Sequence, residues 1–458
     1  MKHALPIAVS LAALALTTSY GCRNSHSSLA ANDGHRLPDT LKVGTLYSPV
    51  SFFIYRGDSL GYDYDLVKQL AADRGMVIDL KVAPSMNRMI EMLDSGLIDL
   101  AAYNVPITAE YKSRVVPCGY ETITSQVLVQ PKNAAITDVA ELVGKEVYVM
   151  QDSKYQHRMA NLDDEIGGGI NIIPVSQDTI IAEDLIDMVS TGKIPMTVVD
   201  SDIAAINSTY YNNLDISVPV SFEQRSAWGV APGMKWLADS IDTWMEEAAP
   251  KEAQKELLKR YFQLSKIEGT PFSIDFSSGK ISKYDDIFRR YAPTIDWDWR
   301  MLAAQAYTES KFNPRARSWV GASGLMQIMP RTARAYGLRR NKVYDPESSV
   351  RTAVKLISDL DGMLTDYVPN SEERKKFVMA AYNGGIGHVY DAIRLAEKHG
   401  KDPQVWDNNV AEAALMLANP TYYNDPVVKY GYLRGRETYN YVDRIMKFYN
   451  TGKAAIPA

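Results

Sequence analysis

Glu309 is the residue best placed to do acid chemistry in this chain, because of the stretch around it, Ala303-Ala304-Gln305-Ala306-Tyr307-Thr308-Glu309-Ser310. Leu302, Ala306 and Glu309 recur at i, i+4 and i+7, so the carboxylate continues a stripe that a helix otherwise uses for burial. Asp296 is the expected N-cap, with Trp299, Leu302, Ala303 and Ala306 completing the apolar face. Asn313-Pro314 is expected to stop the helix, leaving Glu309 near its C-terminal end. Burial and the negative pole of the helix both oppose ionisation there. A carboxylic acid kept protonated near neutral pH is what a general acid requires.

The segments that follow supply walls and hydrogen-bonding groups. Ser318 to Pro330 reads Ser-Trp-Val-Gly-Ala-Ser-Gly-Leu-Met-Gln-Ile-Met-Pro, Ala380 to Gly385 reads Ala-Ala-Tyr-Asn-Gly-Gly, and Glu437 to Val442 reads Glu-Thr-Tyr-Asn-Tyr-Val. Gly321 and Gly324 would let backbone approach a sugar closely. Pro330 suits the first turn of a helix and Gly337 its end, so 323–329 is expected to be a shaped loop entering that helix. Ser310, Gln327 and Asn383 offer donors and acceptors. Met326, Tyr382 and Tyr441 offer apolar walls, with phenolic hydroxyls in reach of the acid.

These motifs, in this order, resemble those of the soluble-lytic-transglycosylase type of catalytic domain, which has a goose-type lysozyme-like fold. The resemblance runs from about Tyr284 to Tyr449. It implies that Glu309, in Glu309-Ser310, is the catalytic acid. It aligns the Gly-Leu-Met-Gln-Ile motif with Gly324 to Ile328 and the Ala-Tyr-Asn-x-Gly motif with Ala381 to Gly385. It also assigns Tyr441 to orienting the acid. Ser349 stands where many members carry Asn after Asp345-Pro346.

Glycosidases usually need two carboxylates, and no second one here has a motif to recommend it. The resemblance implies one acid acting on the bond between N-acetylmuramic acid and N-acetylglucosamine in peptidoglycan glycan strands. Glu309 protonates the glycosidic oxygen and then serves as base on the C6 hydroxyl, giving a 1,6-anhydro product. The alternatives are a water-using muramidase and a non-catalytic peptidoglycan-binding sensor. No metal or cofactor is expected. The chain has six histidines, and His388 reads as a surface or packing residue rather than a ligand.

Lys2 and His3 precede an apolar run from Ala4 to Leu16, too short for a comfortable membrane span. Ser19-Tyr20-Gly21-Cys22 then resembles a lipoprotein cleavage site, so 1–22 is expected to be a signal peptide and Cys22 the lipid-bearing N-terminus. Arg23 in place of Asp favours the periplasmic face of the outer membrane, with 23–38 as a tether. The only other cysteine, Cys118, then has no disulfide partner and reads as a small buried hydrophobe. A net charge of −5 over 458 residues gives no support for nucleic-acid binding. The length, with 46% hydrophobic residues, is ample for two cores.

Between the tether and a linker over 265–283, residues 39–264 alternate short strands with amphipathic helices, as in an open α/β domain. Leu41 to Thr45, the Asp63-Tyr64-Asp65 helix start, Leu93 to Leu100 and Pro106 to Glu110 together resemble family 3 periplasmic solute-binding proteins, two lobes closing on a small ligand. The fold expected is therefore an α/β two-lobed binding-protein-like domain followed by a mainly α lysozyme-like domain over 284–450. Thr108, Ser153 and Asp200 occupy ligand positions, Asp200 matching the partner of a ligand amino group. Tyr111 replaces the Arg that clamps a ligand carboxylate, and Asp152-Ser153 replaces Gly-Ser, which argues against a free amino acid held in the usual way. The module is expected to take a small cell-wall peptide and to gate Glu309; the competing expectation is a passive spacer or docking surface. The tyrosines around Thr421-Tyr422-Tyr423-Asn424 and Tyr430-Gly431-Tyr432 suit a glycan groove and core packing equally.

Overall fold

The computed structural model describes residues 36–108, 111–176, 181–263 and 279–456. The signal peptide with Cys22, the tether up to residue 35 and most of the 265–283 linker lie outside the described residues.

The first lobe is a five-stranded sheet ordered β4-β1-β5-β12-β6, from β1 (Thr40–Leu46), β4 (Val77–Ala83), β5 (Leu100–Pro106), β6 (Val116–Thr124) and β12 (Gln224–Val230). β1 pairs in parallel with β4 and β5, whereas β12 is antiparallel to β5 and β6. Helices cover both faces of the sheet, so β5 opens on the buried apolar run Leu100-Ala101-Ala102. Cys118 is buried in this lobe as expected, and burial pushes its thiol up.

The second lobe orders its strands β11-β7-β10-β8-β9, from β7 (Gln126–Pro131), β8 (Glu146–Met150), β9 (Asn171–Val175), β10 (Thr197–Asp200) and β11 (Leu214–Asp215). Ser125 alone separates β6 from β7, which makes the first crossing between lobes very tight. The return crossing comes late in the domain. Val218 and Val220 still pack in the second lobe's core, and the first lobe's sheet resumes only at Gln224.

Two strands belong to neither sheet. β2 (Phe53–Tyr55) and β3 (Asp58–Leu60) form a hairpin in which Tyr55 faces Asp58, leaving Arg56 and Gly57 as a two-residue turn. Both turn residues have positive φ, 51° and 79°, the combination that matches the twist of a hairpin. Glycine takes such a φ freely; an arginine does so only at a cost.

The catalytic-type part is helical, with a core drawn from the helices Asp285–Tyr291, Trp299–Ser310, Pro346–Leu364, Ser371–Gly384, Ile386–Lys398 and Gly435–Ala455. The two parts are not separate bodies, since residues from Leu37 onward form one unit. Val320, Ala322, Met329 and Tyr432 lie within the first lobe's core cluster. Tyr423 packs edge-on against Tyr47 at 5.8 Å and against Tyr432 at 5.9 Å. Of the tyrosines considered for a glycan groove, Tyr423 and Tyr432 are thus interface packing. Among the described residues no helix is long and apolar enough to cross a membrane.

Candidate active site

The helix Trp299–Ser310 starts two residues later than the sequence suggests. Asp298, not Asp296, caps it by accepting from the Arg300 amide, because Asp296 closes the preceding 3₁₀ turn in a left-handed conformation. The helix also stops early: Lys311 adopts φ 52°, and its amide bonds Tyr307 O. Glu309 therefore lies in the last turn, as expected, with its side chain only 3% exposed. Nearly every other residue of the helix is buried too, so its environment is closed all round.

Tyr441, on the long C-terminal helix, donates its hydroxyl to Glu309 Oε1 at 2.7 Å. Tyr382 does not reach the acid; its hydroxyl goes to Met326 O at 2.7 Å. Ser310 Oγ donates to Ala306 O and Leu325 O, and Gln327 Nε2 to Ala316 O and Gly324 O. Those side chains brace the 323–329 loop, in which Gln327 itself has φ 47°. Met326 is fully buried. Asn383 accepts from Thr438 through Oδ1, while its buried Nδ2 has no partner among the described residues. Ser349 reaches the same loop, accepting from the Met326 amide at 3.1 Å. Packing alone requires a glycine at Gly324: at φ 85° an added Cβ would lie 2.1 Å from Val343 O.

The residue that sequence reasoning missed is Arg56. From the hairpin turn its Nη2 donates to both Glu309 oxygens at 3.1 Å, and its Nη1 donates to Gln327 O at 3.1 Å. The guanidinium also stands 5.7 Å from the Tyr382 ring centroid. The catalytic-type part holds the rest of the hairpin. Arg331 Nη1 donates to Gly57 O at 3.0 Å, Tyr55 donates to Glu437 Oε1 at 2.9 Å, and His388 Nε2 bonds Ile54 O at 3.2 Å. Burial lowers the His388 pKa to about 4, so the ring is neutral at pH 7 and Nε2–H is the donor. The backbone of the turn rests on Gly385, whose missing Cβ would come within 3.2 Å of Gly57 N. Nothing in the Tyr-Arg-Gly-Asp tetrapeptide links it to an acid 253 residues away.

Burial pushes the Glu309 carboxyl above its usual value; Arg56 and then Tyr441 pull it back without cancelling the rise. The glutamate pairing in turn keeps Arg56 fully charged, outweighing its burial. In this arrangement both carboxylate oxygens accept hydrogen bonds from a group that can only donate.

The second-lobe positions are also occupied from within the chain. Asp200, at the end of β10, accepts from Lys154 Nζ at 2.6 Å and from the Tyr155 hydroxyl at 3.2 Å. Ser153 caps the helix Lys154–Ile166, next to Asp152 at φ 54°, the left-handed turn that a glycine would fill without strain. Thr108 is exposed and its carbonyl accepts from the amides of Tyr111 and Lys112 in its own turn. Arg114 pairs with Asp94 at the surface.

Residues 41–264 match the family model described as bacterial extracellular solute-binding proteins, family 3, and residues 286–405 match the transglycosylase SLT domain. A membrane-bound lytic murein transglycosylase F of Shewanella pealeana is 31% identical over 423 residues, covering 90% of this chain and 85% of the relative. The chain belongs to the membrane-bound lytic murein transglycosylase F family. A second member of that family, from Desulfosudis oleivorans, is 30% identical over 87% of both chains. The L-cystine solute receptor of Neisseria gonorrhoeae, in its unliganded open conformation, is 19% identical over 49% of this chain and 93% of its own, with a TM-score of 0.42. The solute-binding match lies ahead of the transglycosylase match, in the same order as the two-lobed and helical parts of the fold.

Proposed function

We propose that the chain is a membrane-attached lytic transglycosylase that cleaves the β-1,4 bond between N-acetylmuramic acid and N-acetylglucosamine, with Glu309 as its only acid and base. The observation that carries this reading is the buried Glu309, raised by desolvation and bonded by Tyr441. In the reaction, Glu309 gives its proton to the glycosidic oxygen as the C1–O bond breaks. The substrate's acetamide oxygen closes on C1 and takes up the developing positive charge. The Glu309 carboxylate then removes the C6 hydroxyl proton, O6 displaces the acetamide from C1, and a 1,6-anhydro ring forms without water. Intramolecular attack gains from proximity, and the acid returns protonated for the next turn.

The same reading makes the arrangement described here the resting one. A carboxylate accepting two bonds from Arg56 carries no proton to donate, and the hairpin stands where a sugar would. Withdrawing Arg56 removes the largest influence that stabilises the anion, and a bound glycan would keep the site dry, so Glu309 gains its proton. A small cell-wall peptide bound between the lobes, near Ser153 and Asp200, is the proposed opener; it would have to displace Lys154 from Asp200. Lipid on Cys22 would tether the mature chain to the periplasmic face of the outer membrane.

The test is mass spectrometry of muropeptides released from purified sacculi by the mature chain and by Glu309→Gln, with and without added stem peptides. Products one water lighter than hydrolytic ones, absent from the variant and increased by peptide, support the reading. Hydrated products make the protein a muramidase, and no release under any condition makes it a binding protein.

A further inference from the structure

A cavity of about 150 Å³ opens between the second lobe and the start of the C-terminal helix, lined by neither Glu309 nor Ser153 nor Asp200. Its walls carry Glu183, Tyr210, Arg434, Glu437 and Asn440. What distinguishes it is a cation and an anion that face one space without meeting. Arg434 spends its guanidinium on neutral partners: it donates to Asn207 Oδ1 at 2.8 Å and lies 3.8 Å from the centre of the Tyr210 ring. Glu183, in the first turn of the helix Ala182–Ser190, has no cation at ion-pair distance among the described residues. Its carboxyl is pushed up by burial, with the Arg434 charge pulling the other way. The neighbouring Arg436 is already committed, to Asp184 at 2.7 Å and Asp187 at 3.6 Å. A buried charge without a counter-charge is costly, and here two opposite ones share a cavity.

We infer that this cavity is a binding site for a small zwitterion, an amino acid or dipeptide whose ammonium meets Glu183 and whose carboxylate meets Arg434. The size agrees: at about 30 Å³ for each water in the liquid, the space corresponds to about five waters. An ion of one sign would satisfy one wall and repel the other; a zwitterion satisfies both. Glu437 borders the same cavity and holds the Tyr55 hydroxyl, so a guest would sit beside the residue that precedes Arg56. Any effect on turnover rests on the gating described above, whereas the site itself does not.

Titration calorimetry on the whole mature chain tests this, using L-alanyl-L-alanine and D-alanyl-D-alanine as probes. Expected is one-to-one binding of at least one of them, weakened tenfold or more when its amino end is acetylated or its carboxyl end amidated. Glu183→Gln and Arg434→Met should weaken it comparably, and Asp200→Asn by less than twofold. The blocked ligands on the unaltered protein give the same answer should either variant fold poorly. Absence of heat with both dipeptides, indifference to blocking, or loss of binding in Asp200→Asn alone would overturn the inference.

Discussion

Replacing Arg56 with Met separates a lock from a catalytic aid. Methionine keeps an unbranched apolar stem to fill the channel but removes the charge and three hydrogen bonds, two to Glu309 and one to Gln327 O. Removing one member of a buried ion pair costs the structure that contains it about 3–5 kcal/mol. That cost falls on the closed arrangement alone, because in the open one both groups regain water. Taking about 3 kcal/mol, the closed-to-open ratio drops about 150-fold. The initial rate of soluble muropeptide release from sacculi, without added peptide and against Glu309→Gln as background, should rise at least tenfold. The ceiling comes when the open form predominates. A rate within twofold of the unaltered protein, or below it, with circular dichroism and thermal unfolding unchanged, would refute the reasoning.

Tyr441→Phe removes a hydrogen bond that favours the charged carboxylate, so the pKa of Glu309 should rise further. The acid must be protonated to act. In the Arg56→Met background the alkaline limb of kcat/KM against pH should therefore move up, while the maximum falls by roughly tenfold or more; a downward shift would contradict the assignment. Asp63, buried against Trp228 Nε1 at 2.8 Å, is pushed up to about 6 by desolvation. A carboxyl raised on folding contributes stability that is full below its unfolded pKa near 4 and is lost as pH climbs through 6. The melting temperature of the unaltered protein should thus carry a falling component between about pH 4 and 7, whereas Asp63→Asn should lack that component, worth at most about 3 kcal/mol. Gly324→Ala should destabilise by about 2 kcal/mol or more in urea unfolding, since φ 85° is strained for alanine and the Cβ meets Val343 O.

The burial of Glu309 is legible in the sequence because its carboxylate continues a helical burial stripe, where it must either lose its charge or find a partner. The true cap lies two residues beyond the expected one because a 3₁₀ turn after Pro293 runs up to Asp296, and such a turn carries little signal of its own. The close approach of Val343 O to Gly324 is not legible, since a backbone carbonyl leaves no trace in a sequence of side chains. Ser310 and Gln327 depart from expectation in the same way: their polar atoms turn to loop carbonyls. Arg56 is beyond the reach of sequence reasoning. Its partner comes from another part of the chain, and its left-handed φ is a property of the hairpin rather than of the residue. The open α/β character is legible from strand–helix alternation and the two lobes from the resemblance to family 3 binding proteins, but the occupation of Asp200 by Lys154 appears only in three dimensions.

Because the hairpin whose Arg56 holds Glu309 belongs to the same chain, its effective concentration there is set by covalent connection and does not change on dilution. Any small molecule aimed at Glu309 must compete with this built-in occupant. Its apparent dissociation constant is the intrinsic value divided by the open fraction. With closure favoured by about a hundredfold, a compound with an intrinsic dissociation constant near 1 μM would register near 100 μM. Screens for cleft-directed inhibitors should therefore use Arg56→Met, which would report intrinsic affinities and return ligands that the unaltered protein hides.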